Sequence, residues 1–210
     1  MLELDLVLGR LRPRERLVED ELMARFGAKR HVVRSALADL EQMGLVDRRP
    51  NKGAMVREYS ASEVEDIYAF RSDLHRLAVA RMSLPFDPDT HDRLTGLAVN
   101  HEAAVAARDL SSVMLYDNAF HELIFDQCGN GVMADAIRRL AWKSHAIRSY
   151  RVNDPVMLRQ AALEHRLMID AIAAGDRAEL AALCERHILP SKEIYLRDLS
   201  VTPFRGSAGN

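Results

Sequence analysis

Apolar residues recur at helical spacing early in the chain. Val33, Ala36, Leu37 and Leu40 make one stripe over residues 30–40, with Arg30, His31 and Arg34 lying off it. Leu17, Leu22 and Phe26 predict a shorter packed helix just upstream, and Gly27-Ala28-Lys29 is a tight link between the two. Two short helices joined by a Gly-containing turn form a helix-turn-helix, whose second helix enters the major groove of DNA. Gly44 is placed to end that helix in a left-handed conformation. The runs 45–49 and 54–57 flank Pro50-Asn51-Lys52-Gly53 and predict a β-hairpin, a wing. Arg48, Arg49, Lys52 and Arg57 on or near it carry charge suited to phosphates.

Beyond residue 58 the pattern is helical throughout. Ser60-Ala61-Ser62-Glu63 has the form of a capping box, and the apolar positions Val64, Ile67, Tyr68, Leu74, Leu77 and Ala78 follow in a helix that stops before Pro85. Asp87-Pro88 opens a second helix to about Arg108. A third spans about Leu110 to Cys128 and ends at Gly129. A fourth covers about Val132 to Val152. Asp154-Pro155 opens a fifth, since Asp suits the N-cap and Pro the first turn. Gly175-Asp176 closes it and opens a sixth, which Pro190 is expected to kink or break. The expected architecture is mainly α: a winged helix-turn-helix over 1–58, an all-α bundle of about six helices over 59–202, and a flexible tail over 203–210.

Composition narrows the class. Net charge is −2, so no global basic field marks the chain as a nucleic-acid binder. Residues 1–58 hold 12 Lys/Arg against 10 Asp/Glu, and the rest 17 against 21, so placement on the reading helix and wing matters more than the sum. Two cysteines make no disulfide framework, and a cytoplasmic location is expected. The N-terminus lacks the basic and apolar regions of a signal peptide, and no run is long enough to span a membrane.

A second constellation lies in the helical part. Asp117 and His121 are four apart and share one face of the third bundle helix. His165 and His187 flank the Gly175-Asp176 turn at 10–12 residues, so an antiparallel pair folded there sets them side by side. One Asp and three His suit a divalent metal, zinc foremost, with nickel and manganese as further fits. An octahedral ion on four protein ligands keeps positions open for water or a carboxylate. The competing interpretation makes each His an isolated, partly buried polar residue. Arg71, among Ile67, Tyr68 and Leu74, would serve an anion if turned inward, and His75 lies one turn later on its face. His145, Arg148 and Arg151 on the fourth helix could also line a cavity, but solvated positions are the favoured reading. Enzymatic alternatives find little: His121-Glu122 lacks the second His of a zinc-peptidase helix because Phe125 occupies its place. Glu122 and Glu164 neighbour the ligand positions in sequence, but on a helix a neighbour points about 100° away. No Gly-rich phosphate loop or Ser nucleophile elbow occurs.

The stretches 17–22, Arg30 to Leu37, Gly44-Leu45-Val46 and 50–54 resemble the DNA-binding domain of GntR-family transcriptional regulators. The helical part resembles the FCD ligand-binding domain of the FadR branch, in which Asp117, His121, His165 and His187 match the D-x3-H, H and H pattern of the metal-binding members. The resemblance runs from about Leu8 to Leu199. It implies a homodimeric, ligand-responsive regulator, a repressor, binding a pseudo-palindromic operator. The metal would help hold a small organic acid, Arg71 would contact the acid's second carboxylate or hydroxyls, and His75 would lie beside it. Arg30, Arg34 and Gly53 would approach the operator, with Lys29 and Lys52 near phosphates and His31 altering the bases read. Two other roles stand beside this one: the same DNA-binding role with a metal-free bundle sensing an acyl or apolar ligand, and a metal-dependent enzyme. Three departures matter. The family's Pro-Gly is here Pro13-Arg14. Its Ser-Arg-Thr-Pro-Val-Arg-Glu is here Lys29 to Ser35, which removes a Ser cap. A common glutamate is here His75. The first helix is also expected to be short, because the chain starts where the family's is already under way.

Overall fold

The computed structural model describes residues 1–49, 53–147 and 154–201. Its N-terminal unit runs α1 (Leu2–Val7), β1 (Arg16–Leu17), α2 (Glu19–Phe26), α3 (Arg30–Gln42), β2 (Val46–Arg49) and β3 (Gly53–Val56). Val33, Leu37 and Leu40 bury the predicted stripe of α3. Gly27 caps α2 in the left-handed region, and Gly44 follows α3 at φ +76. No side chain caps the start of α3 at Lys29, as the missing serine implies.

The hairpin pairs Val46 with Val56 and Arg49 with Gly53, and its sheet has the order β1-β3-β2. Leu17 departs from expectation. It belongs to β1 and pairs with Ala54 rather than extending α2. A single apolar residue at a helix edge carries no period of its own, and the unsatisfied edge of β3 recruited it. The hairpin turn at 50–52, with Lys52, lies outside the described residues, as do Arg148, Arg151 and the tail.

The helical part consists of α4 (Ala61–Arg81), α5 (Pro88–Ala107), α6 (Leu110–Asp126), α7 (Gly131–Lys143), α8 (Pro155–Ala174) and α9 (Arg177–Val201). Their starts follow local chemistry. The Ser60 hydroxyl accepts from Glu63 N while the Glu63 side chain accepts from Ser60 N, a complete capping box. Asp87 and Asp154 cap helices that open on proline, and Asn130 caps α7. Two expectations fail. The fourth helix is not continuous: α7 stops at Lys143, Ser144 is a turn, and 145–147 resume as helix. The last helix passes through Pro190 unbroken. Proline removes one backbone bond, but burial of Leu183, Cys184, Ile188 and Tyr195 on either side holds both halves of α9.

Helix α4 lies along α9 and α7, and α5 lies along α6 and α8. One apolar core fills the space between these helices. A second unites the N-terminal unit with the start of α4, with Ala146 and Ile147, and with Ile188 and Tyr195 of α9. At this junction the Tyr59 hydroxyl donates to Gly44 O at 2.6 Å, and the Tyr195 hydroxyl donates to Tyr59 O at 3.1 Å and accepts from Tyr59 N at 2.9 Å. Arg57 is drawn to this junction, ion-paired to Glu63 at 2.8 Å and lying over the Tyr59 ring, rather than held out with the wing.

Candidate metal centre, ligand cavity and DNA-reading face

Helix α6 presents Asp117 and His121 one turn apart, α8 presents His165, and α9 presents His187. Their ligand atoms all lie within 4.8 Å of one another. His121 Nε2 is 3.1 Å from His187 Nε2 and 3.3 Å from His165 Nε2. Asp117 Oδ1 stands 3.5–3.8 Å from all three nitrogens. Ligands about 2.1 Å from a shared ion at 90–109° lie roughly 3.0–3.4 Å apart. His121 already has that spacing to both other nitrogens, the carboxylate lies a few tenths of an ångström outside it, and all four atoms fall within 4.8 Å of one another.

Protonation suits the same purpose. His187 Nδ1 lies 2.6 Å from Glu164 Oε2, within hydrogen-bond distance, which turns its Nε2 towards the cluster. That is the carboxylate–histidine pairing which orients metal ligands. Burial drives the His165 pKa down to about 4, against the pull of Asp117, so its imidazole is neutral at neutral pH. Three imidazoles and one carboxylate, crowded at these distances, form a donor set that a cation would satisfy.

The centre opens into a cavity whose wall carries His121, His187, Arg71, His75 and Trp142. Arg71 is buried, as an anion-binding role requires; its guanidinium donates to Ser144 Oγ at 2.9 Å and lies over the Tyr68 ring. The His75 ring packs against Phe125, tilted by 32° with centroids 4.4 Å apart. Burial first, and the Arg71 charge second, push its pKa down to about 3, so it too is a neutral group. Half-buried Arg138 also lines the cavity, paired with Glu122 and Asp126. The cavity thus joins a cation-ready end, a buried guanidinium and apolar walls, the features of a site for a small anion with some apolar bulk.

At the other end of the molecule, Lys29, Arg30, His31, Arg34 and Ser35 are exposed on α3. Arg30 bonds Asp20 at 2.6 Å, and Arg34 Nε donates to both Glu19 oxygens at 3.0 Å. These half-exposed pairs are worth little in water, so phosphate or base edges could replace the carboxylates at low cost. Gly53 is exposed at φ +79, with open space around the position of a Cβ.

Comparison with known families now decides the class. Residues 1–56 match the family model of the gntR family of bacterial regulatory proteins, and residues 66–189 match the FCD domain. The chain is a GntR-family transcriptional regulator with an FCD domain. It is similar to the HTH-type transcriptional regulator YdhC of Bacillus subtilis, 26% identical over 168 residues that cover 78% of this chain and 74% of that protein. Among solved structures it shares its fold with a GntR regulator of Rhodococcus sp. RHA1, at TM-score 0.75 and 19% identity over 93% of this chain and 94% of that one. The Escherichia coli protein McbR/YncC matches at TM-score 0.70 and 21% identity, over 95% and 92%. Family membership makes this regulator a DNA-binding protein rather than an enzyme. No helix among the described residues is long and apolar enough to cross a membrane.

Sequence reasoning missed several parts of the site. His145 is 2% exposed and lines the cavity beside the tilted Trp142 ring, the alternative to the favoured solvated position. The turn at Ser144 rotates it inward, and no periodicity reports such a break. His101, 1% exposed, packs against the His165 ring from α5. Glu164 does point away from its neighbour His165, as helix geometry demands, and so meets His187 on the adjacent helix.

Proposed function

We propose that this GntR-family regulator is a homodimeric repressor of the cytoplasm. Its residues 1–58 bind a pseudo-palindromic operator, and its residues 59–202 sense a small organic acid with the help of a divalent cation. The single observation behind the sensing role is the convergence of three imidazole nitrogens and one carboxylate oxygen from α6, α8 and α9, all within 4.8 Å of one another. Asp117, His121, His165 and His187 would hold the ion, zinc foremost, with nickel or manganese as further fits to the donor set. A bound cation supplies a positive pole with open positions for an effector carboxylate.

The protein's own groups do the rest. Glu164 orients His187, and Phe120 stacks on His165 at 4.2 Å. Arg71 faces the effector's second carboxylate or hydroxyls, and neutral His75 exchanges a hydrogen bond without adding charge. Phe125, Ile137 and Trp142 exclude water from the apolar part of the ligand. On the DNA side, Lys29, Arg30, Arg34 and Lys52 serve phosphates and base edges, His31 tunes the bases read, and Gly53 brings the wing backbone close.

Effector binding reaches the reading helix through continuous packing. Arg71 holds Ser144, the adjoining Ala146 and Ile147 enter the core of the DNA-binding unit, and α9 carries His187 at one level and Tyr195 at the other. A ligand that engages Arg71 and the cation therefore shifts the balance between orientations of the two units, and the half-site spacing is lost. The test is elemental analysis with operator and effector binding. The His165→Ala/His187→Ala double variant should lose metal and effector response but keep operator affinity. Full metal content in that variant refutes the assignment.

A further inference from the structure

We infer that His75 selects the effector by a hydroxyl: the acid that fills this cavity carries, away from the carboxylate the cation would hold, a hydroxyl seated between Arg71 and His75. This rests on the sensing role proposed above and narrows the choice left there between a second carboxylate and a hydroxyl. The position is particular to this chain, because the family resemblance has a glutamate where His75 stands.

A buried nitrogen without a counterpart carries the inference. His75 is 3% exposed and lines the cavity, and its Nδ1 has no hydrogen-bond partner among the described residues. A buried polar atom left in that condition costs free energy that a ligand can recover. The rest of the ring is engaged by the protein. Phe125 packs against it, and the Cys184 backbone on α9 bonds it in the sense that raises its pKa, as a carbonyl accepting an N–H does. Burial and the Arg71 charge outweigh that contact, so the ring is neutral and has one N–H and one lone pair. The Cys184 carbonyl draws the N–H, and the lone pair is left for a donor on the ligand.

Arg71 lies one helical turn earlier, is buried on the same helix, and reaches the same cavity. A guanidinium only donates, whereas a nitrogen that carries the lone pair only accepts. One group satisfies both at once. A hydroxyl accepts from Arg71 with its oxygen and gives its proton to His75. A carboxylate accepts from Arg71 but brings no proton at neutral pH, so its lone pairs face that of the imidazole. Protonating the imidazole to receive it works against a pKa pushed down to about 3. A methyl group satisfies neither side chain. The neighbouring Cys184 adds no charge, since burial pushes its thiol up to about 12.

The experiment measures dissociation constants by calorimetry on the zinc-loaded full chain. The probes are matched in length: butyrate, γ-hydroxybutyrate and succinate, then hexanoate, ω-hydroxyhexanoate and adipate. The better-fitting hydroxy acid should bind at least about tenfold more tightly than its plain counterpart and at least about fivefold more tightly than its diacid. These wild-type ratios by themselves decide between hydroxyl and carboxylate. His75→Leu, which removes the acceptor, should bring the ratio of hydroxy to plain acid within about threefold of unity. His75→Gln, whose amide both donates and accepts, should keep a ratio of at least about fivefold. A merely structural role for His75 would weaken every acid alike and leave the ratios where they were. A diacid that binds the wild type as tightly as its hydroxy counterpart, or a hydroxyl preference that survives His75→Leu, overturns the hydroxyl assignment and leaves the sensing role standing. A zinc-loaded chain that binds none of these acids overturns the small-acid reading itself, and a chain that takes up no zinc overturns the metal reading.

Discussion

Replacing Gly44 with alanine tests the junction between the reading helix and the bundle. Gly44 has φ +76, where an L-residue costs about 1–2 kcal/mol. A Cβ built there meets the Tyr59 hydroxyl at 2.8 Å and Lys143 Cγ at 3.2 Å. Lys143 is flexible and can move. Tyr59 is 2% exposed, and its hydroxyl donates to the Gly44 carbonyl at 2.6 Å, so a shift breaks a buried hydrogen bond worth a further 1–3 kcal/mol or so. Gly44→Ala should therefore cost about 2–5 kcal/mol. Gly27→Ala isolates the backbone share: Gly27 has φ +59 with nothing within 4 Å of its Cβ position, so about 1–2 kcal/mol is expected. Urea denaturation at constant m-value measures both. The coupling is checked in the Tyr59→Phe background, where the obstructing oxygen is gone and Gly44→Ala should cost at least about 0.5 kcal/mol less. Equal costs for the two glycines, or strict additivity with Tyr59→Phe, would refute the clamp.

Three further outcomes follow from the same geometry. Arg14 occupies φ +67 where the family has glycine, so Arg14→Gly should be more stable than Arg14→Ala by about 1 kcal/mol in thermal unfolding; both lose the Glu58 ion pair, which cancels. Glu164→Gln should weaken metal binding by about 10–100-fold, measured by competition with a chelating dye, while operator affinity stays within about twofold. Burial raises the Tyr59 pKa to about 12 from 10, so its hydroxyl keeps its proton in the fold after the unfolded chain has lost it. Its stabilisation is complete below pH 10 and declines between pH 10 and 12; the fall in stability over that range should be shallower in Tyr59→Phe.

Local chemistry made much of this protein readable. A helix start needs only its own first turn, so Ser60 with Glu63, and Asp154 with Pro155, announce α4 and α8 without reference to anything else. The stripe through Val33, Leu37 and Leu40 needs only the helical period. Asp117 and His121 share a face because they lie on one helix. Even the meeting of His165 with His187 follows from one short turn at Gly175, since an antiparallel pair equates distances on either side of it. Where local signals conflicted with tertiary contacts, the contacts won. Leu17 became a strand because β3 offered an edge, and Pro190 stayed within a helix because residues on both sides of it are buried.

The chain order of residue types thus determined the elements and the fold class and offered the four metal-ligand candidates, from patterns within one helix or across one short turn. Only the tertiary structure decided the surroundings: that Glu164 orients His187, that His101 backs His165, that Ser144 turns His145 inward beside Arg71, and that Tyr195 reaches across 136 positions to Tyr59. Those contacts leave no period in the sequence, because the partners approach from different helices at angles set by packing of the whole core.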